Sequence, residues 1–153
     1  MSFLYFNLQN IIEMKLIWLI IGTLIMSACS QDQTKIKSIT YSAITRGSSF
    51  TCIIDEHNIQ VISSGNDTYE KSKEITNRQW SLILKDLDGI ALDNLDKLKA
   101  PSDESASDRA RIANLIVNSG GKNYESIPFD EDKPPKVLSP LINNMLALAQ
   151  TVD

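Results

Sequence analysis

Apolar and polar residues alternate along residues 35–74, with the period of two that is typical of β-strands with one buried face. Four segments carry this alternation, and residues that favour turns separate them. The predicted strands are residues 35–45, 50–55, 59–63 and 68–74. The fourth is mostly polar, as expected of a strand at the edge of a sheet. Short turns between successive strands predict an antiparallel β-meander.

A helical period begins after this meander. Thr76 and Gln79 have the spacing of a capping box, and Ile75 can pack against the first turns. Apolar residues then recur on one helix face: Trp80, Ile83, Leu84 and Leu87. Gly89 is placed to end this helix. Leucines follow at every third position and predict a short further helical turn: Leu92, Leu95 and Leu98.

The chain then returns to strands. An acidic, polar loop at residues 100–108 precedes residues 111–117, which are apolar on both faces and predict a central strand. The glycines within residues 118–122 favour a tight hairpin turn. Residues 123–127 are expected to pair back, and Pro128 ends that strand.

A last helix is predicted after a charged, proline-containing loop at residues 130–136. Ser139 is predicted as its N-cap and Pro140 as its first helical residue. Its core side carries Leu141, Ile142, Met145, Leu146 and Ala149. Together these elements predict one α+β domain over residues 36–150. Its antiparallel sheet (β-meander, helix, β-hairpin, helix) is expected to have the helices packed on one face.

The N-terminal region is typical of an export signal. Lys15 precedes Leu16–Met26, an uncharged apolar run of 11 residues that is too short to span a bilayer comfortably but suits a signal-peptide core. The run leads into a motif that resembles the lipobox of bacterial lipoproteins: Met26, Ser27, Ala28 and Cys29. This resemblance implies cleavage between Ala28 and Cys29, and alkylation of the Cys29 thiol by diacylglycerol.

Two segments are therefore predicted before the folded domain. Residues 1–28 are predicted as the signal peptide, and residues 29–35 as the lipidated N-terminus and its tether. Residues 1–13 carry no positive charge, so Met14 is the expected start of translation. The expected location is the bacterial cell envelope, in the outer membrane where the organism has one, because Ser30 rather than aspartate follows Cys29.

Charge and cysteine content narrow the function classes. The 153-residue chain has a formal net charge of −4 and no basic stripe, which disfavours nucleic-acid binding. It also lacks a polybasic patch after the signal, so membrane attachment is expected to depend on the Cys29 lipid. Cys52 is then the only other cysteine, so no intrachain disulfide is expected. Its alternation with Phe50 and Ile54 favours a buried hydrophobic position over a reactive thiol.

No catalytic, metal-binding or cofactor-binding motif is recognisable after Cys29. His57 is the only histidine, and an exposed turn residue is favoured over a general base or a metal ligand. The segment Asp86-Leu87-Asp88-Gly89 resembles the start of a calcium loop, but the later acids do not follow in register, which favours a helix end. Arg46 is interpreted as a hairpin charge rather than a contact residue.

Two acidic loops leave one further alternative open. If the fold brings them together, they could bind Ca²⁺ weakly, although two solvated loops are the favoured interpretation. Their acids are Asp103, Glu104, Asp108, Asp130, Glu131 and Asp132.

The sequence after the signal resembles a group of small, uncharacterised lipoproteins of Bacteroidetes-type bacteria, over about residues 39–148. The shared positions are Ser42, Arg46, Gly47, Trp80, Leu92, Leu95, Leu98, Pro101, Asp108, Ala110, Phe129, Asp130, Pro134 and Pro135. This resemblance implies a shared fold. The order of elements is also loosely similar to emfourin, a bacterial inhibitor of thermolysin-like metalloproteases, through Leu95, Pro101, Asp108, Tyr124 and Leu141.

These observations favour a non-enzymatic envelope lipoprotein that binds a protein partner through its loops. One alternative is an inhibitor of the emfourin type, which would present residues 100–108 or the turn at Gly120 to a protease. Another is a carrier of a small apolar ligand between sheet and helix, although large side chains such as Trp80, Leu115 and Met145 are expected to fill that space.

Overall fold

The computed structural model of the protein describes residues 35–102 and 111–152. Within these ranges the chain forms one antiparallel sheet of seven strands, which confirms the predicted α+β class. The strands are β1 (Ile36–Ile44), β2 (Ser49–Asp55), β3 (Asn58–Ser64), β4 (Tyr69–Glu74), β5 (Ile112–Ser119), β6 (Lys122–Glu125) and β7 (Phe129–Asp130). The α-helices are α1 (Asn77–Leu87) and α2 (Ser139–Ala149), and a 3-10 helix covers Leu92–Lys97.

The strands lie in the order β4-β3-β2-β1-β5-β6, and β7 pairs with β5. The first four form the predicted meander. The chain then passes through α1 and the 3-10 helix before β5 pairs with the other side of β1. β6 and β7 pair with successive parts of β5, since β6 lies against Ile116–Ser119 and β7 against Ile112 and Ala113. β1 and β5 are therefore central, and β4 is an edge strand.

One face of the sheet, here called the helix face, forms the core. Alternate strand residues on this face are fully buried, among them Ile39, Tyr41, Ile54, Leu115 and Val117. The helices cover them with Trp80, Ile83, Leu87, Leu141, Ile142 and Met145. Burial of each large apolar side chain contributes roughly 1.5–3 kcal/mol, so this layer is the main source of stability. The opposite face, here called the open face, carries half-exposed residues such as Thr40, Ser42 and Thr51.

Local sequence signals fix the ends of these elements. Thr76 caps α1 through the predicted capping box: its Oγ1 accepts from the Gln79 backbone N at 3.3 Å, and Gln79 Oε1 accepts from the Thr76 backbone N at 2.8 Å. Gly89 follows the helix with a φ of 84°. Gly120 and Gly121 have φ values of 57° and 80°, so the β5–β6 hairpin has the two positive φ values that a type I′ turn requires.

β5 is a central strand, as predicted, because it pairs with β1 on one side and with β6 and β7 on the other. Ala113, Leu115 and Val117 are buried on the helix face, but Ile112 on the open face is 49% exposed. The helices pack on one side only, so the apolar residues of the other side keep contact with solvent. The apolar run on both faces thus indicated the central position of this strand, although the helices cover only one of its faces.

The prediction of Ser139 as N-cap and of Pro140 as the first helical residue is wrong by one position. Ser139 is the first helical residue, and Leu138 occupies the N-cap position without a side-chain cap. The reason is that the chain already turns before the helix, where the backbone N of Leu138 donates to the Pro135 carbonyl at 2.8 Å. The Ser139 hydroxyl donates to the same carbonyl at 3.3 Å.

The strand β7 was not predicted, and its residue Asp130 was assigned to a loop. β6 ends at Glu125, earlier than expected, because the Ser126 side chain replaces a strand contact: its hydroxyl accepts from the Leu115 backbone N at 3.0 Å. After Pro128 the chain rejoins β5 for two residues, which buries Phe129 and Asp130. Two residues are too few to produce a periodic pattern in a sequence.

Candidate functional site

A polar cleft of about 380 Å³ lies at the end of the sheet where β1 turns into β2. The β1–β2 turn (residues 45–48) and the β3–β4 loop (residues 65–68) form its walls. Hydroxyl groups line most of it, from Thr45, Ser48, Ser49, Ser63 and Ser64. Asn66, Asp67 and Arg111 add an amide and two opposite charges. The cleft therefore offers many hydrogen-bond donors and acceptors in a small space.

Side-chain hydrogen bonds hold the first wall in place. Thr45 Oγ1 accepts from the backbone N of Gly47 at 3.3 Å and from that of Ser48 at 3.2 Å. The backbone N of Thr45 donates to the Ser48 carbonyl at 2.8 Å. Such turns depend on a short hydroxyl side chain that reaches its own backbone.

Close packing joins the second wall to the first. The Ser49 and Ser64 hydroxyls are 2.7 Å apart across β2 and β3. Gly65 has a φ of 117°, and a Cβ at this position would lie 2.7 Å from both the Gly47 carbonyl oxygen and the Ser48 Cβ. Only glycine fits this approach, so Gly65 keeps the two turns in contact.

Arg111 connects the cleft to the acidic side chain of Glu131. Its Nη1 lies 3.5 Å from Glu131 Oε1, and both side chains are about one-third exposed, at 39% and 34%. Tyr41 is fully buried nearby, and among the described residues its hydroxyl has no hydrogen-bond partner. Burial raises the pKa of Tyr41 well above its usual value, the Glu131 charge raises it further, and the Arg111 charge opposes both. Tyr41 is therefore a neutral residue at physiological pH.

The favoured interpretation of the second acidic loop as solvated is wrong for Asp130. Asp130 is fully buried and accepts a hydrogen bond from the Ser102 hydroxyl. Glu131 pairs with Arg111, and Asp132 is exposed. Three neighbouring acids thus have three different environments. No group of three or more His, Cys, Asp or Glu side chains in residues 35–102 and 111–152 is arranged to hold a metal ion.

His57 is an exposed turn residue, as predicted. Asp55 fixes this turn because its Oδ1 accepts from the backbone N of His57 at 2.7 Å and from that of Asn58 at 2.8 Å. The turn joins β2 to β3, whereas the cleft lies at the other end of β2, about 20 Å away along a seven-residue strand. His57 therefore cannot serve as a base for the serines of the cleft.

Asp86 and Asp88 belong to the end of α1, as the favoured interpretation predicted. Asp88 is the C-cap, and its backbone N donates to the carbonyls of Leu84 and Lys85. Asp86 accepts a hydrogen bond from the Asn144 side chain of α2. These acids thus end one helix and connect it to the other.

Cys52 is a buried hydrophobic residue, which confirms its prediction. It has no exposed surface, and burial raises the pKa of its thiol to about 12. Trp80 is 6% exposed and belongs to the core, again as predicted. Arg46 lies exposed in the turn that forms the first wall of the cleft.

The other predicted site residues lie outside the described residues. They are the lipobox residues Met26, Ser27, Ala28 and Cys29 and the loop acids Asp103, Glu104 and Asp108. In the described ranges, no helix is long and apolar enough to cross a membrane.

The cleft itself was missed by sequence reasoning. Ser49 and Ser64 are 15 positions apart and meet only because of the β2–β3 register. Arg111 reaches the cleft from the start of β5, which requires the β1–β5 pairing. The signal available in the sequence was the run of serines and glycines at residues 47–49 and 63–65, which was interpreted only as turn chemistry.

Comparison with protein families, characterised proteins and solved structures finds no match to this chain.

Proposed function

We propose that this protein is a lipid-anchored protein of the bacterial cell envelope whose folded domain binds a protein partner and performs no catalysis. The observation that carries the location is the lipobox-like motif Met26-Ser27-Ala28-Cys29, directly after the apolar run Leu16–Met26. Small residues before the cysteine suit a narrow peptidase cleft, and the thiol is the atom that the lipid would alkylate.

The position of the cleft supports the binding role. β1 starts at Ile36 and runs nine residues, or about 26 Å, to the turn that forms the cleft. The cleft and its loops therefore lie at the end of β1 opposite Ile36, where the anchored segment would join the domain.

The anchor is tested by lipid labelling of the full chain in cells. Cys29→Ala should abolish incorporation of labelled fatty acid and leave a larger precursor, and inhibition of the lipoprotein signal peptidase should also accumulate a larger form. Cys52→Ala is the matched control, because it removes the other cysteine and should leave labelling intact. Full labelling of Cys29→Ala would contradict the proposal.

Partner binding is tested by site-specific photo-crosslinking in the intact envelope. A photoreactive residue at Asn66, in the β3–β4 loop, should give a discrete adduct with a second protein. The same residue at Asn123, in β6 at the opposite end of the strand order, should give none. Absence of any adduct at Asn66, with the protein folded and lipidated, would count against a protein partner.

A further inference from the structure

The edge strand β4 is long and uncovered. It lies at the end of the strand order and pairs only with β3 among the described residues. All six of its residues, Tyr69–Glu74, are exposed. An edge of this length presents a row of backbone groups to which an additional strand can pair.

The hydrogen-bond pattern identifies which residues direct their backbone outward. The backbone N of Ile75 donates to the His57 carbonyl at 2.8 Å, so this opposed pair is a hydrogen-bonded one. In an antiparallel ladder such pairs alternate with pairs that exchange no backbone bonds. It follows from the register that the backbone N–H and C=O groups of Lys73 and Lys71 form hydrogen bonds with β3. The backbone N–H and C=O groups of Glu70, Ser72 and Glu74 consequently point away from β3, toward the free edge.

The side chains of β4 separate by charge between the two faces. Glu70 and Glu74 lie on the open face, where Glu70 Oε1 accepts from Gln60 Nε2 at 2.7 Å. Lys71 and Lys73 lie on the helix face, where Lys73 Nζ donates to the Thr151 carbonyl at 2.9 Å. One face of the edge is thus anionic and the other is cationic.

This separation disfavours a second copy of the chain as the occupant. A two-fold axis that extends the sheet by antiparallel pairing of β4 with β4 keeps the two open faces on the same side. In the register centred on Ser72, Glu70 would oppose Glu74 and Lys71 would oppose Lys73. Like charges directly opposite one another destabilise a strand pair.

We propose that the free edge of β4 binds an extended segment of a partner protein by strand addition, and that this segment alternates basic residues on the open face with acidic residues on the helix face. The inference rests on the proposed function and specifies the surface and the chemistry of the partner. The β3–β4 loop, which carries Asn66 and Asp67 of the cleft, leads directly into this edge.

Two peptides test the charge pattern against the full-length lipidated protein in detergent micelles, by calorimetry. The first carries Lys-Glu-Thr-Glu-Lys between valine- and threonine-rich flanks, and the second carries Glu-Lys-Thr-Lys-Glu between the same flanks. The first should bind at least ten-fold more tightly. The preference should reverse in a variant with four exchanges: Glu70→Lys, Lys71→Glu, Lys73→Glu and Glu74→Lys.

The outward backbone groups are tested at Ser72. Ser72→Pro removes an N–H that points to the free edge and leaves the bonds between β4 and β3 in place. It should weaken binding of the first peptide at least ten-fold, whereas Ser72→Ala keeps the N–H and should bind normally. If Ser72→Pro fails to fold, a peptide methylated on the backbone nitrogens that face β4 removes the same hydrogen bonds from the other side.

Equal binding of the two peptides, or unchanged binding to a folded Ser72→Pro variant, would overturn strand addition at β4. A crosslink at Asn66 that persists in that case would leave the proposed function standing. The result of the lipid-labelling experiment at Cys29 tests the anchor in the proposed function and does not test strand addition at β4.

Discussion

At the residue scale, burial determines the behaviour of the Cys52 thiol. Its pKa is about 12, against a usual value of 9.0, because desolvation disfavours the thiolate. Since the thiolate is the nucleophile, we expect a thiol reagent to leave Cys52 unmodified at pH 8 until the domain unfolds. The measurement is labelling followed by mass, with denaturant as the positive control. Rapid stoichiometric labelling of the native protein would contradict the buried position.

The same shift makes stability depend on pH in the alkaline range. Between about pH 9 and pH 12 the unfolded thiol loses its proton while the folded one keeps it. The folded state then binds more protons, so stability falls as pH rises, by up to about 1.4 kcal/mol per pH unit for each such group. The raised pKa of Tyr41 acts with the same sign. Urea unfolding from pH 8 to pH 10.5 should show this decline, and Cys52→Ala should make it shallower. An unchanged slope in that variant would refute the role of Cys52.

A comparison of alanine substitutions at Gly65 and Gly89 distinguishes the cost of backbone strain from the cost of steric contact. Both have positive φ, but an added Cβ at Gly65 meets atoms at 2.7 Å, whereas none lies within 4 Å at Gly89. We expect Gly65→Ala to lower the free energy of unfolding by roughly 2–4 kcal/mol and Gly89→Ala by about 1 kcal/mol. Urea denaturation of both variants measures the difference. Equal losses would mean that the two turns of the cleft are not held by this contact.

At the element scale, the capping box is the clearest test of how sequence sets a boundary. Thr76→Ala removes the acceptor for the Gln79 backbone N, and we expect a loss of about 1 kcal/mol in the free energy of unfolding. Ser81 also lies in α1, where its hydroxyl donates to the Asn77 carbonyl. Ser81→Ala should change stability by less than about 0.5 kcal/mol. A similar loss in both variants would show that the cap has no special contribution.

Elements were predictable where a local rule determines them. The Thr76 box, the Gly120–Gly121 turn and the three-residue spacing of Leu92, Leu95 and Leu98 each act within a few positions, and each corresponds to an observed element. The strand β7 has no such signal, because its pairing with β5 depends on the tertiary position of Phe129. The cleft was not predictable for the same reason, since it results from strand order, whereas the polar sequence of β4 had correctly predicted an edge strand.

At the scale of the whole molecule, the charges of β4 bear on whether its free edge can pair with the same edge of a second copy. If the like charges of Glu70, Lys71, Lys73 and Glu74 keep copies apart, replacing all four with threonine should allow antiparallel pairing of β4 with β4. We expect the variant to dimerise with increasing concentration in sedimentation velocity, while the natural chain stays monomeric under the same conditions.

The matched control replaces two acids and two lysines that are exposed elsewhere in the domain: Lys85, Asp96, Lys99 and Asp132. Both variants keep the natural net charge, so dimerisation of the first alone would assign the effect to the edge. Dimerisation of both, or of neither, would mean that the charges of β4 do not control pairing at this edge, and that another feature of the domain does.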